Sequence, residues 1–394
     1  MPLRISVEER RARLAVRHRL APSARADDDL VAVARSVVVL HATDPASVVL
    51  SALARMGAPD PAKVEHELYE DRRLVRMMAM RRTLFTCATE DSALLQRSSS
   101  DAVAAGERKK LIAFLEQSGV ADDAARWLED VEAKTMAAIT EAGEVAATEL
   151  TKVVPELAIQ ISVNQGKRYA GTVGVSSRVL NLMAMEGLLV RARPKGRWTS
   201  SQHRWAALHP WLGPPLAEMP TAEAQVELAG RWLARFGPGT LADLKWWTGW
   251  TMGATRAAVA ALDTVEVDLD GTLGLVLAGD AGPTPPPEPW VALLPALDPT
   301  TMGWQARDWY LDDAHRPLLF DTNGNAGPTI WVAGRIVGGW AVRSDGEVVT
   351  RLLEDVGREA ATAVDAQAAR LSDWLRAVQV VPRFPTPLQT ELAG

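Results

Sequence analysis

The sequence has 394 residues, of which 47% are hydrophobic and 23% are charged, and its formal net charge is −6 with a pI near 5.7. This length predicts two to four folded units, and this composition excludes a largely disordered chain. The acidic balance argues against a protein that coats nucleic acid without selectivity.

The residue types restrict the chemistry as well. The single cysteine, Cys87, excludes an internal disulfide and any metal site built from several thiolates. The six histidines do not fall in a metal-ligand spacing, and no nucleotide-binding or serine-nucleophile motif occurs. Residues 1–15 are too charged for a signal peptide, and no apolar stretch reaches the ~20 residues that span a bilayer. We therefore expect a cytoplasmic protein with no metal, no cofactor and no membrane contact.

Three helices are predicted at the start of the chain. Apolar residues at spacings of three and four predict helices over 6–20 and 28–40. Asp44 is followed by Pro45, which is typical of a helix start, because Asp is a favoured N-cap and Pro is favoured at the first helical position. The third helix is therefore predicted over 45–56, directly after a tight turn.

A short helix over 61–71 follows, and then two apolar runs over 74–80 and 83–88 predict strands joined at Arg81 and Arg82. Three helices and a hairpin are typical of a winged helix-turn-helix unit.

The same pattern returns twice. In the second unit, helices are predicted over 148–157 and 176–186, and a hairpin over 188–193 and 197–201 turns at a Pro-Lys-Gly sequence. In the third, helices over 223–236, 241–248 and 255–262 precede strands over 265–269 and 273–277 with an Asp-Gly turn.

A change in composition marks the last unit. Residues 282–289 are rich in Pro and Gly, which is typical of a linker. Short strands over 290–295, 329–332, 335–343 and 347–352, with a final helix over 353–378, predict a small β-barrel and a helix.

The fold class predicted is mainly α with β: three tandem winged helix-turn-helix units followed by a small C-terminal β-barrel. The predicted domain boundaries are 1–120, 121–218, 219–281 and 290–394. Three dissimilar units in one chain favour an asymmetric clamp and a monomer over the symmetric dimer that is typical of regulators.

Basic residues concentrate between residues 157 and 217, where the sequence contains eight Lys and Arg residues and one acidic residue, Glu186. A basic hairpin interleaved with tryptophan is typical of a phosphate-backbone contact. The predicted DNA-binding residues are Arg81, Arg82, Lys167, Arg168, Arg178, Arg191, Arg193, Lys195, Arg197, Trp198 and Arg204.

Four motifs carry a resemblance to a known family. They are HATDP at 41–45, MRRTLF at 80–85, GRW at 196–198, and LLPALDP at 293–299 followed by Arg307. In this order they resemble the winged-helix DNA glycosylases typified by AlkZ and YcaQ, over nearly the whole chain. The resemblance implies a cleft that binds damaged double-stranded DNA, and excision of alkylated purines or unhooking of interstrand crosslinks.

The turn departs from the family pattern at the positions that carry the chemistry. His41 and Thr43 stand where characterised members have Gln and then Gln or Asp, and Arg82 and Phe85 stand where members tend to have Gly and His. An N7-alkylated purine already carries positive charge, so the enzyme has only to stabilise an oxocarbenium-like sugar and place a water. His41 could orient that water or accept its proton, Thr43 could hydrogen-bond it, and Asp44 could supply negative charge.

Alternatives stand beside each assignment. Asp44 could act only as the N-cap of the next helix. Asp298 is an alternative catalytic carboxylate, or a turn residue before Pro299. At the level of function, the glycosylase hypothesis competes with a non-catalytic DNA- or lesion-binding protein and with a transcriptional regulator.

Overall fold

The computed structural model describes residues 3–25, 29–163, 171–376 and 378–394. The first group of elements ends in a hairpin, as the sequence predicts. Its members are β1 Leu3–Arg4, α1 Val7–Arg17, α2 Leu30–Ser36, β2 Leu40–His41, α3 Pro45–Leu53, α4 Pro61–Tyr69, β3 Leu74–Ala79 and β4 Thr83–Ala88.

Helix α3 begins where the Asp-Pro sequence predicts it. The Asp44 carboxylate accepts a hydrogen bond from the Ala46 amide at 3.0 Å, and Pro45 occupies the first turn. The predicted helix over 28–40 is too long, because α2 ends at Ser36 and residues 40–41 form a strand. The three valines at 37–39 lose rotamer freedom in a helix because they are β-branched, and they form an irregular connection in which Val38 has a positive φ of 64°.

Two long helices join the first group to the second, and the sequence patterns above assign neither. After α5 Ser92–Leu95, a π-helical turn at Gln96–Ser100 leads into α6 Asp101–Gln117 and α7 Ala124–Ala142. The π-helical turn connects several groups: the Trp250 indole donates to the Ser98 carbonyl at 2.9 Å, and the Gln96 amide donates to the Met185 carbonyl at 2.9 Å.

The second group contains β5 Val145–Ala146, α8 Ala147–Val153, β6 Gln160–Val163, β7 Gly171–Gly174, α9 Val175–Met185, β8 Leu189–Pro194, β9 His203–Ala207 and α10 Leu208–Leu212. Its hairpin differs from the prediction, because β8 pairs with residues 203–207 and not with 197–201. The register places Arg191 opposite Trp205, and strand β5 pairs with β9 on its other side. Residues 197–201 form the irregular connection, in which the Ser200 amide bonds the Arg197 carbonyl.

The third group follows the sequence prediction closely. It contains α11 Thr221–Phe236, α12 Leu241–Thr248, α13 Met252–Ala260, β10 Thr264–Leu269 and β11 Thr272–Leu277. Asp270 and Gly271 both have positive φ, of 55° and 91°, as a two-residue hairpin turn of type I′ requires. Strand β1 pairs in parallel with β10, so the beginning of the chain completes this sheet.

The C-terminal group is an open sheet, and the predicted β-barrel is wrong for the described residues. Strands β12 Val291–Leu294, β13 Thr329–Val332, β14 Arg335–Val342 and β15 Val348–Leu352 pair in sequence order, with β12 and β15 at the edges. Four strands are too few to close around an interior, so helices cover the sheet. The helices of this group are α14 Arg316–Leu319, α15 Arg358–Leu375, which packs on both edge strands, and α16 Pro387–Ala393, which packs on β14.

The groups share one core. A continuous cluster of buried apolar residues extends from Leu14 to Leu392 and includes members of every group. No helix in the described parts of the chain is long and apolar enough to span a bilayer.

A buried ion pair crosses this core. Arg55, just after α3, donates to both carboxylate oxygens of Asp298 at 2.7 and 2.9 Å, and both side chains are fully buried. Ser51 also donates to Asp298, at 2.6 Å. Arg55 donates further to the Thr300 hydroxyl, which lies 2.9 Å from Nδ1 of His18, the residue directly after α1.

We expect Asp298→Asn to lower the free energy of unfolding by about 3–5 kcal/mol, because it leaves the buried Arg55 guanidinium without a counter-charge. Urea unfolding measures this loss. Asp308→Asn is the matched control, since Asp308 is an exposed carboxylate of the same segment and should change stability by less than about 0.5 kcal/mol. Equal stability of the two variants would contradict a structural role for the ion pair.

Candidate active site

The turn at residues 41–44 is held between strand β2 and helix α3. His41 pairs with Phe85 across the β2–β4 ladder, and the two rings meet edge to face with centroids 5.3 Å apart. The Ala42 amide continues the ladder with a 2.9 Å hydrogen bond to the Leu84 carbonyl. The turn is therefore fixed by strand pairing before it and by the helix cap after it.

His41 is a neutral imidazole with one free nitrogen. It is 8% exposed, and burial, followed by the charge of Arg81, lowers its pKa to about 3. Its Nδ1 lies 3.4 Å from the Thr43 amide nitrogen and accepts that hydrogen bond, which assigns the proton to Nε2. No residue in the described segments bonds Nε2. His41 can therefore donate a hydrogen bond from Nε2 at neutral pH, and it is a weak proton acceptor.

Both carboxylate oxygens of Asp44 are occupied. Oδ1 caps α3 as described above, and Oδ2 accepts a 2.9 Å hydrogen bond from the Arg383 amide, which lies near the end of the chain. Burial raises the pKa of this carboxyl group, opposed by the hydrogen bonds that it accepts. The predicted N-cap is confirmed, whereas a contribution of Asp44 to catalysis stays a prediction.

Asp298 does not lie on an accessible surface. Its relative exposure is 0%, and four donors from Arg55, Ser51 and the Thr300 amide saturate its two oxygens. These contacts assign Asp298 to the core ion pair rather than to a reacting substrate.

Two arginines meet at one tryptophan close to the turn. The Arg81 Cζ lies 4.4 Å from the centroid of the Trp246 ring, and the Arg307 Cζ lies 5.2 Å from the same centroid. Gly249, with φ of 75°, ends α12 beside Arg81, and a Cβ atom there would come within 2.7 Å of the Arg81 Cγ. The sequence motifs include Arg307 but do not connect it with Arg81 or Trp246, because residues this far apart reveal no proximity in sequence.

A basic cavity opens next to Arg81. It has a volume of about 500 Å³ and lies between the β3–β4 hairpin, α6 and α9. Arg82 forms an ion pair with Glu107 at 2.9 Å, and the Arg178 guanidinium lies 4.2 Å from the Phe114 ring centroid. Its polar and charged lining residues are Arg81, Arg82, Glu107, Lys110, Ser177, Arg178 and Asn181. Three predicted DNA-binding residues, Arg81, Arg82 and Arg178, thus share one cavity wall.

The predicted basic wing is only partly available to a ligand. Arg193 is paired with Glu70 at 2.5 Å, and Arg204 lies 3.9 Å from Glu144. Arg191 is half-buried near Trp205, and this burial lowers its pKa to about 10. Lys195 and Arg197 are exposed at the turn.

Trp198 does not face solvent. It is 9% exposed and its ring lies 6.1 Å from that of Trp374, so it is a packing residue in this structure and not a surface for DNA. The remaining predicted contacts, Lys167 and Arg168, lie outside the described residues.

No group of three or more His, Cys, Asp or Glu side chains in the described part of the chain could hold a metal ion. The site therefore consists of a neutral histidine, a threonine, a buried capping aspartate and a basic cavity.

Comparison with known families decides the relationship of this chain. The model of the AlkZ-like DNA glycosylases matches residues 34–374, which includes the turn, the cavity and Arg307. This chain belongs to the AlkZ-like DNA glycosylase family. The solved structure of Streptomyces sahachiroi DNA glycosylase AlkZ is similar with a TM-score of 0.73 and 20% identity, covering 97% of this chain and 99% of the other. Curated protein sequences give no match. At this identity the structural similarity shows a shared fold.

We expect Asp44→Asn to lower the free energy of unfolding by about 1 kcal/mol, because Asn caps as well as Asp but has one acceptor oxygen and so loses the Arg383 bond. Asp60→Asn is the matched control, since Asp60 caps α4 with a single bond to the Ala62 amide. Thermal unfolding compares the two. A loss no larger for Asp44→Asn than for Asp60→Asn would show that the Arg383 bond contributes nothing.

We expect stability to fall as the solution is acidified. Burial lowers the pKa of His18, of His41 to about 3 and of His203 to about 4. Below about pH 6.5 the unfolded chain therefore binds more protons than the folded one, and each histidine removes up to about 1.4 kcal/mol of stability per pH unit. This contribution is fully present above about pH 7.

Urea unfolding at about pH 7.5, 6.5 and 5.5 measures this dependence, and His41→Gln should make it shallower by one titrating group. A free energy of unfolding that is constant over this range would contradict the depressed pKa values.

Proposed function

We propose that this protein is a monofunctional DNA glycosylase that hydrolyses the N-glycosidic bond of alkylated purines. Its substrates would be lesions of the N7-alkylguanine type or interstrand crosslinks. The observation that carries the proposal is the turn at residues 41–44, which holds a neutral His41 with a free Nε2. Arg81, whose charge lowers the pKa of His41, lines the basic cavity. We propose further that the helix and hairpin groups act as winged-helix units, with the boundaries given above, and that a monomer binds damaged double-stranded DNA.

The chemistry needs little from the protein. In an N7-alkylated purine the C1′–N9 bond breaks with its electron pair moving to the base, which leaves as a neutral molecule, so a general acid is not required. The sugar is then a strong electrophile. Because the pKa of His41 is about 3, His41 acts in this proposal by orienting a water through Nε2, with the Thr43 hydroxyl as a second contact. The water oxygen bonds to C1′ and releases its proton to solvent.

One observation favours a second candidate, a non-catalytic DNA- or lesion-binding protein. Both oxygens of Asp44 are engaged by backbone amides, so the turn offers no free carboxylate to stabilise the sugar cation. A regulator stays the least favoured function, because the groups of this chain are dissimilar and share one core.

The decisive experiment uses duplex DNA with one N7-methylguanine, and a second duplex with a nitrogen-mustard crosslink, assayed for abasic sites. We expect excision by the wild-type protein. His41→Ala should slow excision by about two orders of magnitude, which corresponds to the ~3 kcal/mol that one oriented polar group contributes, and should change DNA affinity only a few-fold.

His66→Ala is the matched control, since His66 is an exposed histidine on α4. Thr43→Ala should give a smaller loss than His41→Ala. Excision by His41→Ala at the wild-type rate would remove His41 from the mechanism. Tight DNA binding without excision from either duplex would establish the non-catalytic candidate.

A further inference from the structure

Arg81, Trp246 and Arg307 form a cationic cluster that the chemistry proposed above does not use. Arg81 comes from the β3–β4 hairpin, Trp246 from α12, and Arg307 from the segment after β12. The two guanidinium groups lie 4.4 and 5.2 Å from the same indole centroid, and Arg307 is also 4.8 Å from the Phe320 ring. Aromatic rings therefore hold two like charges together, and three separate parts of the chain build the cluster.

The charge of this cluster is unbalanced within the described residues. Arg307 is 5% exposed, and its Nε, like that of Arg81, is buried without a hydrogen-bond partner. The Arg307 guanidinium lies 3.8 Å from the Met302 sulfur, which is uncharged. Buried charges are normally paired, because an unpaired one loses its hydration without compensation.

Two other deeply buried arginines follow that rule. Arg55 meets Asp298 at 2.7 Å, and Arg13 meets Glu9 at 2.6 Å and two backbone carbonyls. Arg10 and Arg76 are also buried without an ion pair among the described residues, so burial alone does not distinguish the cluster. Arg81 and Arg307 in addition share one indole ring, and two cations held this close without a carboxylate favour a bound anion.

The position of the cluster indicates which anion. Arg81 lines the basic cavity on one side, and on the other its charge acts on His41. Two guanidinium groups can bond the two non-bridging oxygens of a phosphodiester, and stacking on rings reduces the entropy lost when they do so. A cationic lesion would be repelled by two bare arginines, so a phosphate that neutralises them also permits such a base to approach His41.

We infer that Arg81 and Arg307, stacked on Trp246, together bind one phosphate of the DNA backbone beside the nucleotide that reaches His41. They are positioning residues, and this role rests on the proposed function. The negative charge of the phosphate would neutralise the two arginines.

The first test is a phosphate-by-phosphate comparison. The probe is a duplex with a tetrahydrofuran abasic-site analogue, in which single phosphates near the analogue are replaced in turn by uncharged methylphosphonate. For the wild-type protein we expect one position where the replacement weakens binding about tenfold, as loss of one charge-assisted contact does. For the double variant Arg81→Gln with Arg307→Gln, we expect weaker binding overall and no further loss at that position.

Arg316→Gln is the matched control, because Arg316 is an exposed arginine that also lies near Phe320, at 6.0 Å, and is paired with Asp313. It should keep the wild-type profile. If the double variant does not fold, Arg81→Gln alone is the second variant. Methylphosphonate replacement at the same phosphate should no longer weaken its binding. Identical profiles for the wild-type protein and a folded arginine variant would overturn the inference.

A second test does not depend on DNA. Inorganic pyrophosphate, at constant ionic strength against chloride, should raise the Tm of the wild-type protein by a few degrees and leave that of the double variant unchanged. Stabilisation by pyrophosphate without binding of any duplex would leave the anion site standing and remove the proposed function. Normal excision with identical methylphosphonate profiles and no effect of pyrophosphate would remove the inference and leave the function standing.

Discussion

The Arg55–Asp298 ion pair is the constraint on which the site depends. It fixes the end of helix α3 to the C-terminal group, while Ser47, one turn into the same helix, donates to the Ala296 carbonyl at 2.5 Å. The start of α3 is held by Asp44, which also bonds the Arg383 amide. The helix that follows the turn is therefore attached to the C-terminal group at both ends, and the turn has little freedom to move.

The acidic and basic residues of the site differ in whether they have partners within the protein. The carboxylates near the turn maintain the fold: Asp44 caps a helix and Asp298 neutralises a buried arginine. The cations remain without carboxylate partners at Arg81 and Arg307. Burial and the charge of Arg81 lower the pKa of His41, so this side chain carries no charge at neutral pH. The charge without a carboxylate partner around the basic cavity is therefore positive.

The hairpin between β3 and β4 concentrates backbone strain at this place. Arg81 and Arg82 both have positive φ, of 55° and 59°, which is unfavourable for residues with a Cβ atom. The conformation directs Arg81 towards α12, where Gly249 leaves room for it, while Arg82 pairs with Glu107 on α6. The strain in the β3–β4 hairpin is therefore retained because the contact of Arg81 with α12 and the ion pair of Arg82 with α6 fix both side chains.

Short-range signals in the sequence determined much of the local structure. The Asp44-Pro45 pair specified the start of α3, and Asp270-Gly271 specified a hairpin turn, because caps and tight turns depend on residues within three or four positions. The order of four short motifs along the chain indicated the family. Only the tertiary structure decided that the last sheet is open and covered by helices, that Trp198 packs inside while Lys195 stays exposed, and that Arg81, Trp246 and Arg307 meet. Trp198 meets Trp374, and Arg81 meets Trp246, across more than 150 residues, a distance over which neither periodicity nor composition carries information.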